Sequence, residues 1–193
     1  MTEETDPRPS YAKALSWAGS VVSGVGPASL DGPTPCTEYD VRALLGHLVA
    51  TVDRARVIGE GGDPRSMPTV VVGVSDAGWA DALAAAVDKM TAVWTDDGLL
   101  DRAVTVPWGT VPGRAAMWGY VNEALVHGWD LAVATGQDAE AEPDLAEAAM
   151  AAAQAKIPAD RRGGPIPFAD VVEPAPDAGP TERLANWAGH RRR

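Results

Sequence analysis

Apolar residues recur at helical spacing in four long stretches of the chain, separated by clusters of Gly, Pro and Asp that stop helices. The first stretch opens near Ser10 and puts Tyr11, Leu15, Ala18, Val21 and Val22 on one face before Gly24, Gly26 and Pro27 end it. The second follows Thr37-Glu38-Tyr39-Asp40, an N-cap type of residue with an acid three positions on, and runs to about Gly59. Its core stripe is Val41, Leu44, Leu45, Leu48 and Val52, and His47 lies about 60° from Leu44 on the helical wheel, at the edge of that stripe. The third begins near Ser75, repeats Trp79, Leu83, Val87, Met90 and Trp94 at steps of three and four, and stops at Asp97-Gly98. The fourth, from about Ala115 to Gly136, is apolar almost all round, with Trp118, Val121, Leu125, Trp129 and Leu131.

Between and after these stretches the signals are shorter. Residues 59–68 predict a loop, the β-branched run 69–72 a short extended piece, and 103–113 an irregular hairpin. Beyond Gly136 come an acidic loop, an Ala-rich helix over 143–156, a Pro/Gly-rich stretch over 157–180, and a last helix over 181–188 with Gly189 as its stop. The pattern predicts an all-α four-helix bundle with strand limited to short pieces near 69–72 and 104–111. It predicts one domain over 1–193, with a bundle core of about 10–136 and a C-terminal extension of about 137–193.

Composition narrows what such a bundle does. A 46% hydrophobic content supports a sizeable core, yet no run of apolar residues is long enough to span a bilayer. The acidic, Pro-containing start carries no basic segment followed by an apolar one, so no signal peptide is expected and the protein is placed in the cytoplasm. The lone cysteine, Cys36, fits a reducing compartment. A net charge of −11 speaks against nucleic acid as a partner, and the basic run Arg191 to Arg193 is expected to be a solvated tail.

The fourth helix changes the picture, because its polar stripe is Glu123, His127 and Asp130, at i, i+4 and i+7. Buried carboxylates and imidazoles cost several kcal/mol unless they are paired, hydrogen-bonded or bound to a metal, so the stripe implies a polar site inside the bundle. Glu123 and His127 supply two ligands on one face, and His47 from a neighbouring helix could complete a His2Glu set with a coordination position left open. A lone histidine beside an apolar stripe is more often a hydrogen-bonded core residue, so the spacing leaves both readings open. Asp130 is expected to be structural, capping or pairing with an arginine, and Cys36 to be a packed thiol without a catalytic role. His190, in a Gly-His-Arg-Arg-Arg end, is expected to be a mobile tail residue.

The stretches TPCTEYDVRALLGHLVAT, WGTVPGRAA, NEALVHGWDLAVATG and PFADVVEPAPDAGPTERLANWAG together resemble an actinobacterial metal-binding family similar to the N-terminal domain of mycothiol-dependent maleylpyruvate isomerase, within the DinB/YfiT-like superfamily. The likeness covers about Thr34 to Gly189. It implies a four-helix bundle holding a divalent ion, zinc or another first-row ion such as Ni2+, on His47, Glu123 and His127. It further implies mycothiol as a thiol cosubstrate, activated as thiolate for transfer to, or isomerisation of, a small electrophile, in a monomer or homodimer. Tyr39 stands where the family commonly has Trp, and the larger C-terminal domain that contributes to the isomerase site has no counterpart in these stretches. Maleylpyruvate itself is therefore not the expected substrate. The alternative is a non-catalytic metal- or small-ligand-binding module with the same ligands.

Overall fold

The computed structural model describes residues 6–156, 159, 160, 162 and 169–192. Its helices are α1 (Arg8–Ser23), α2 (Val41–Gly59), α3 (Trp79–Val93), α4 (Gly98–Asp101), α5 (Gly113–Thr135), α6 (Pro143–Lys156) and α7 (Pro180–Ala188). Among the described residues the strands are β1 (Ala103–Val106) and β2 (Gly109–Pro112), an antiparallel pair that turns through Pro107 and Trp108. The all-α bundle read from the hydrophobic period is the fold observed.

Four helices close a ring: α1 packs on α5, α5 on α2, α2 on α3, and α3 back on α1. α5 lies deepest, because α6 and α7 cover the side that the ring leaves open. This is why its sequence is apolar all round: Val121, Leu125, Trp129, Leu131 and Ala132 face different neighbours and are all buried. α3 is tied to α2 by Trp94, whose indole Nε1 donates to the Ala55 carbonyl at 2.9 Å.

Three expectations shift. The cap of α2 is Asp40, whose carboxylate accepts from Ala43 N at 2.8 Å, so the helix starts three residues later than a Thr37 cap would place it. The buried Thr34 hydroxyl lies 2.8 Å from the Cys36 carbonyl and 2.7 Å from that of Tyr39, folding 34–39 into a turn instead of a first helical turn. Residues 69–72 form no strand. They run as a strap across α2, joined where Val71 N donates to Gly46 O at 3.0 Å. A side chain on Gly46 would put its Cβ 2.3 Å from Val71 O, so only glycine lets the strap lie this close. Of the Pro/Gly-rich stretch expected over 157–180, residues 157, 158, 161 and 163–168 lie outside the described residues.

The C-terminal extension folds back onto the bundle. Glu140, from the loop after α5, caps α7 by accepting from Thr181 N at 2.9 Å and Glu182 N at 3.2 Å. At the other end Gly189 adopts φ +98°, which turns the chain so that His190 N donates to Ala185 O at 2.9 Å.

Candidate metal centre

His47, Glu123 and His127 converge, each offering a ligand atom within 4.8 Å of the others. His47 Nε2 lies 3.8 Å and His127 Nε2 3.5 Å from the same oxygen, Oε2 of Glu123. The two imidazoles meet edge to face with centroids 4.9 Å apart, and Tyr39 stacks on His47 at 4.8 Å. Glu123 keeps part of its side chain open to solvent, whereas His127 is buried.

The outer nitrogen of each ring decides what the inner one can do. His47 Nδ1 donates to the Thr69 carbonyl of the strap at 2.8 Å, and His127 Nδ1 donates to Asp130 Oδ2 at 3.0 Å. With Nδ1 committed to a fixed acceptor in each ring, both Nε2 atoms are turned toward Glu123, where a bound ion would take the place of the proton that His127 Nε2 shares with the carboxylate. A second bond that fixes tautomer and ring angle is the arrangement metal-ligating histidines use. Two such imidazoles and a carboxylate fit a first-row divalent ion.

Asp130 is fully buried, and among the described residues its partners are histidines and no arginine pairs with it. Beside His127, its oxygens accept from His190 Nδ1, at 2.8 Å each. His190 is thus no mobile tail residue. The glycine turn after α7 aims it into the bundle, and its carbonyl accepts from Asn186 Nδ2 at 3.0 Å. Arg192 also leaves the solvated tail, pairing with Glu182 at 2.5 Å and lying over the Trp129 ring. Cys36 completes this second group: its sulfur and the ligand atoms of His127, Asp130 and His190 lie within 4.8 Å of one another. Burial, helped by the Asp130 charge, pushes the Cys36 thiol up to about 12, which keeps it protonated at neutral pH.

Burial disfavours the charges on His127, Glu123 and Asp130, yet their contacts prevail. Against its burial, hydrogen bonds to Asp130 and Glu123 raise His127 to about 10. Glu123, despite burial, is held well below the usual carboxylate range by His127 and His47, and Asp130 is lowered in the same way by His127 and His190.

Sequence reasoning also missed a third set of residues. Tyr120 lies on the α5 stripe one turn before Glu123, and Tyr11 of α1 packs on it with ring centroids 6.3 Å apart. Thr51 and Arg54 continue the α2 face of His47 at i+4 and i+7. The buried hydroxyls of Tyr11, Thr51 and Tyr120 have no hydrogen-bond partner among the described residues.

Residues 14–132 match the family model described as the mycothiol maleylpyruvate isomerase N-terminal domain. The uncharacterized proteins MT0763 and Rv0738 of two Mycobacterium tuberculosis strains are each 31% identical to the chain over 185 residues, which cover 95% of it and 97% of each relative. The fold is similar to the crystal structure of a mycothiol-dependent maleylpyruvate isomerase, with TM-score 0.61 and 16% identity, covering 81% of this chain and 72% of that one. A histidine-to-alanine mutant of that enzyme matches alike, with TM-score 0.62 and 15% identity over the same shares.

Proposed function

The chain belongs to the mycothiol maleylpyruvate isomerase N-terminal domain family, and on that premise we propose that it is a metal- and thiol-dependent enzyme acting on a small electrophile. The observation that carries the reading is the shared orientation of His47 and His127. Each spends Nδ1 on a fixed acceptor and turns Nε2 toward Glu123. These three residues would hold the ion, zinc being the ion that suits the donors best. When bound, such an ion lowers the pKa of a thiol that reaches it and so supplies the nucleophilic thiolate at neutral pH.

The chain's own residues set the conditions for that chemistry. Asp130 keeps the Nδ1 proton on His127, and the strap carbonyl of Thr69 does the same for His47. Cys36 remains a thiol and leaves the nucleophile's role to an external cosubstrate, for which mycothiol is the candidate. The reaction is S-transfer or thiol-assisted isomerisation, carried out in the cytoplasm.

The test is a thiol-transfer assay with mycothiol and a generic electrophile on zinc-loaded, chelator-treated and zinc-restored protein. Activity that disappears with the metal and returns with it is expected. Equal rates in all three preparations, above the uncatalysed reaction, would overturn the role of the metal.

A further inference from the structure

α2 and α5 carry their polar residues in opposite order along one shared face. Thr51 and Arg54 follow His47 on α2, while Tyr120 precedes Glu123 and His127 on α5. Seven residues of helix advance about 10 Å, so Arg54 and Tyr120 lie at the same end of that face, about two turns from the Nε2 atoms. The strap agrees with this placement: Thr69 O accepts from His47, and the preceding carbonyl, Pro68 O, accepts from Arg54 at 3.0 Å. The positive charge of Arg54 acts on both Tyr39, which stacks on His47, and Tyr120.

Arg54, like Arg162 and Arg183, donates to a backbone carbonyl instead of lying against a carboxylate. Arg8, Arg42, Arg56 and Arg192 each lie against a carboxylate. Arg54 is half-buried and donates to a backbone carbonyl, and among the described residues no carboxylate lies within ion-pair distance of it. A guanidinium has five donors, and one is used here. Tyr120, which feels the Arg54 charge, Tyr11, packed on Tyr120, and Thr51, one turn before Arg54, are almost wholly buried and carry hydroxyls without a partner among the described residues. Buried polar atoms left without partners cost stability, and such groups persist where a ligand or ordered water completes them.

We propose that Arg54, with the hydroxyls of Tyr120, Thr51 and Tyr11, forms a subsite that binds one carboxylate group of the small-molecule substrate beside the His47–Glu123–His127 site. The charge balance selects the ligand class. One guanidinium and three neutral hydroxyls compensate a single negative charge, whereas a dianionic phosphate would leave charge uncompensated near Glu123. Trp108, at the hairpin turn, is 56% exposed and packs over Tyr120 with centroids 6.4 Å apart, giving the subsite an apolar rim and a spectroscopic reporter. The subsite's part in turnover rests on the proposed function; its binding of a carboxylate does not.

The experiment titrates butyrate, and the neutral, nearly isosteric butyramide, into the full chain, both metal-free and zinc-loaded, following the Trp108 indole resonance by NMR. Butyrate should bind about ten-fold more tightly than butyramide in both preparations, the worth of a charge-assisted hydrogen bond. Arg54→Gln should erase that preference, Arg54→Lys should keep part of it, and Tyr120→Phe should weaken butyrate binding by a smaller factor. Equal binding of the two probes, or butyrate binding unchanged in Arg54→Gln, overturns the subsite. Butyrate binding confined to the zinc-loaded protein and indifferent to Arg54 would assign the carboxylate to the metal, overturning the subsite alone. Arg54-dependent binding in a protein that takes up no zinc would support the subsite and defeat the metal reading.

Discussion

The two ends of the polar face on α5 are built in opposite ways. At the C-terminal end, Asp130 is fully buried and its carboxylate accepts from both His127 and His190. One turn before Glu123, Tyr120 is equally buried, yet its hydroxyl and that of Tyr11 have no partner among the described residues. The first end spends its hydrogen bonds on holding one imidazole in one orientation. The second leaves donors unspent, beside a guanidinium that has no carboxylate partner among the described residues. The same helix thus separates the part that fixes geometry from the part left for a ligand.

The comparison breaks most directly at Asp130. Replacing it with Ala leaves buried His127 and part-buried His190 without their acceptor, and loss of one partner from a buried pair should cost about 3–5 kcal/mol in urea unfolding. Asp130→Asn keeps the shape and one acceptor and should cost less. If Asp130→Ala unfolds like the wild type, the C-terminal end is not the rigid one.

His190→Ala should act next most strongly, and on metal rather than on fold. His190 holds Asp130, the outer partner of His127, and acting one bond further out its removal should lower metal affinity by about 10-fold, the lower end for an outer partner, measurable for zinc by competition with a chromophoric chelator. His190→Gln, which can still donate to Asp130, should recover part of that loss.

The charged end should also make the metal-free protein sensitive to pH. His127, raised from its ordinary 6.5 to about 10, adds stability that is complete below 6.5 and lost as the pH rises towards 10. Glu123 and Asp130, lowered from 4.5 and 3.8, add stability that is present above those values and lost as the pH falls through their folded pKa values. Thermal unfolding of chelator-treated protein should therefore give its highest midpoint between about pH 4.5 and 6.5. A midpoint that climbs from pH 7 to 10 would contradict the assigned contacts.

The smallest effect belongs to the other end. Tyr120→Phe removes a hydroxyl that has no partner among the described residues, so stability should change by about 1 kcal/mol or less, in either direction. A loss as large as that of Asp130→Ala would show that this hydroxyl is committed to the fold after all.

What was legible in the sequence follows the same division. The helices of the bundle, the hairpin and the inward stripe of Glu123, His127 and Asp130 could be read because helical period reports which face is buried. His190 could not be read as a site residue from its basic neighbours. The usable signal was Gly189: a histidine just after a left-handed helix-ending glycine is turned back and bonded, not released. The strap over 69–72 looked like a strand because β-branched residues favour extended backbone, but its role depends on the close approach at Gly46, which no local pattern records. Arg54, Thr51 and Tyr120 were hidden because their significance lies in what they do not bond to. That property belongs to the folded chain.

The central claim, that His47, Glu123 and His127 are one metal centre, is tested most directly by metal content. Protein saturated with zinc and freed of excess should carry one tightly bound ion per chain, and His47→Ala, Glu123→Ala and His127→Ala should each reduce it to near zero while leaving the helical circular dichroism intact. Full zinc occupancy in all three variants, or none in the wild type, would contradict the account.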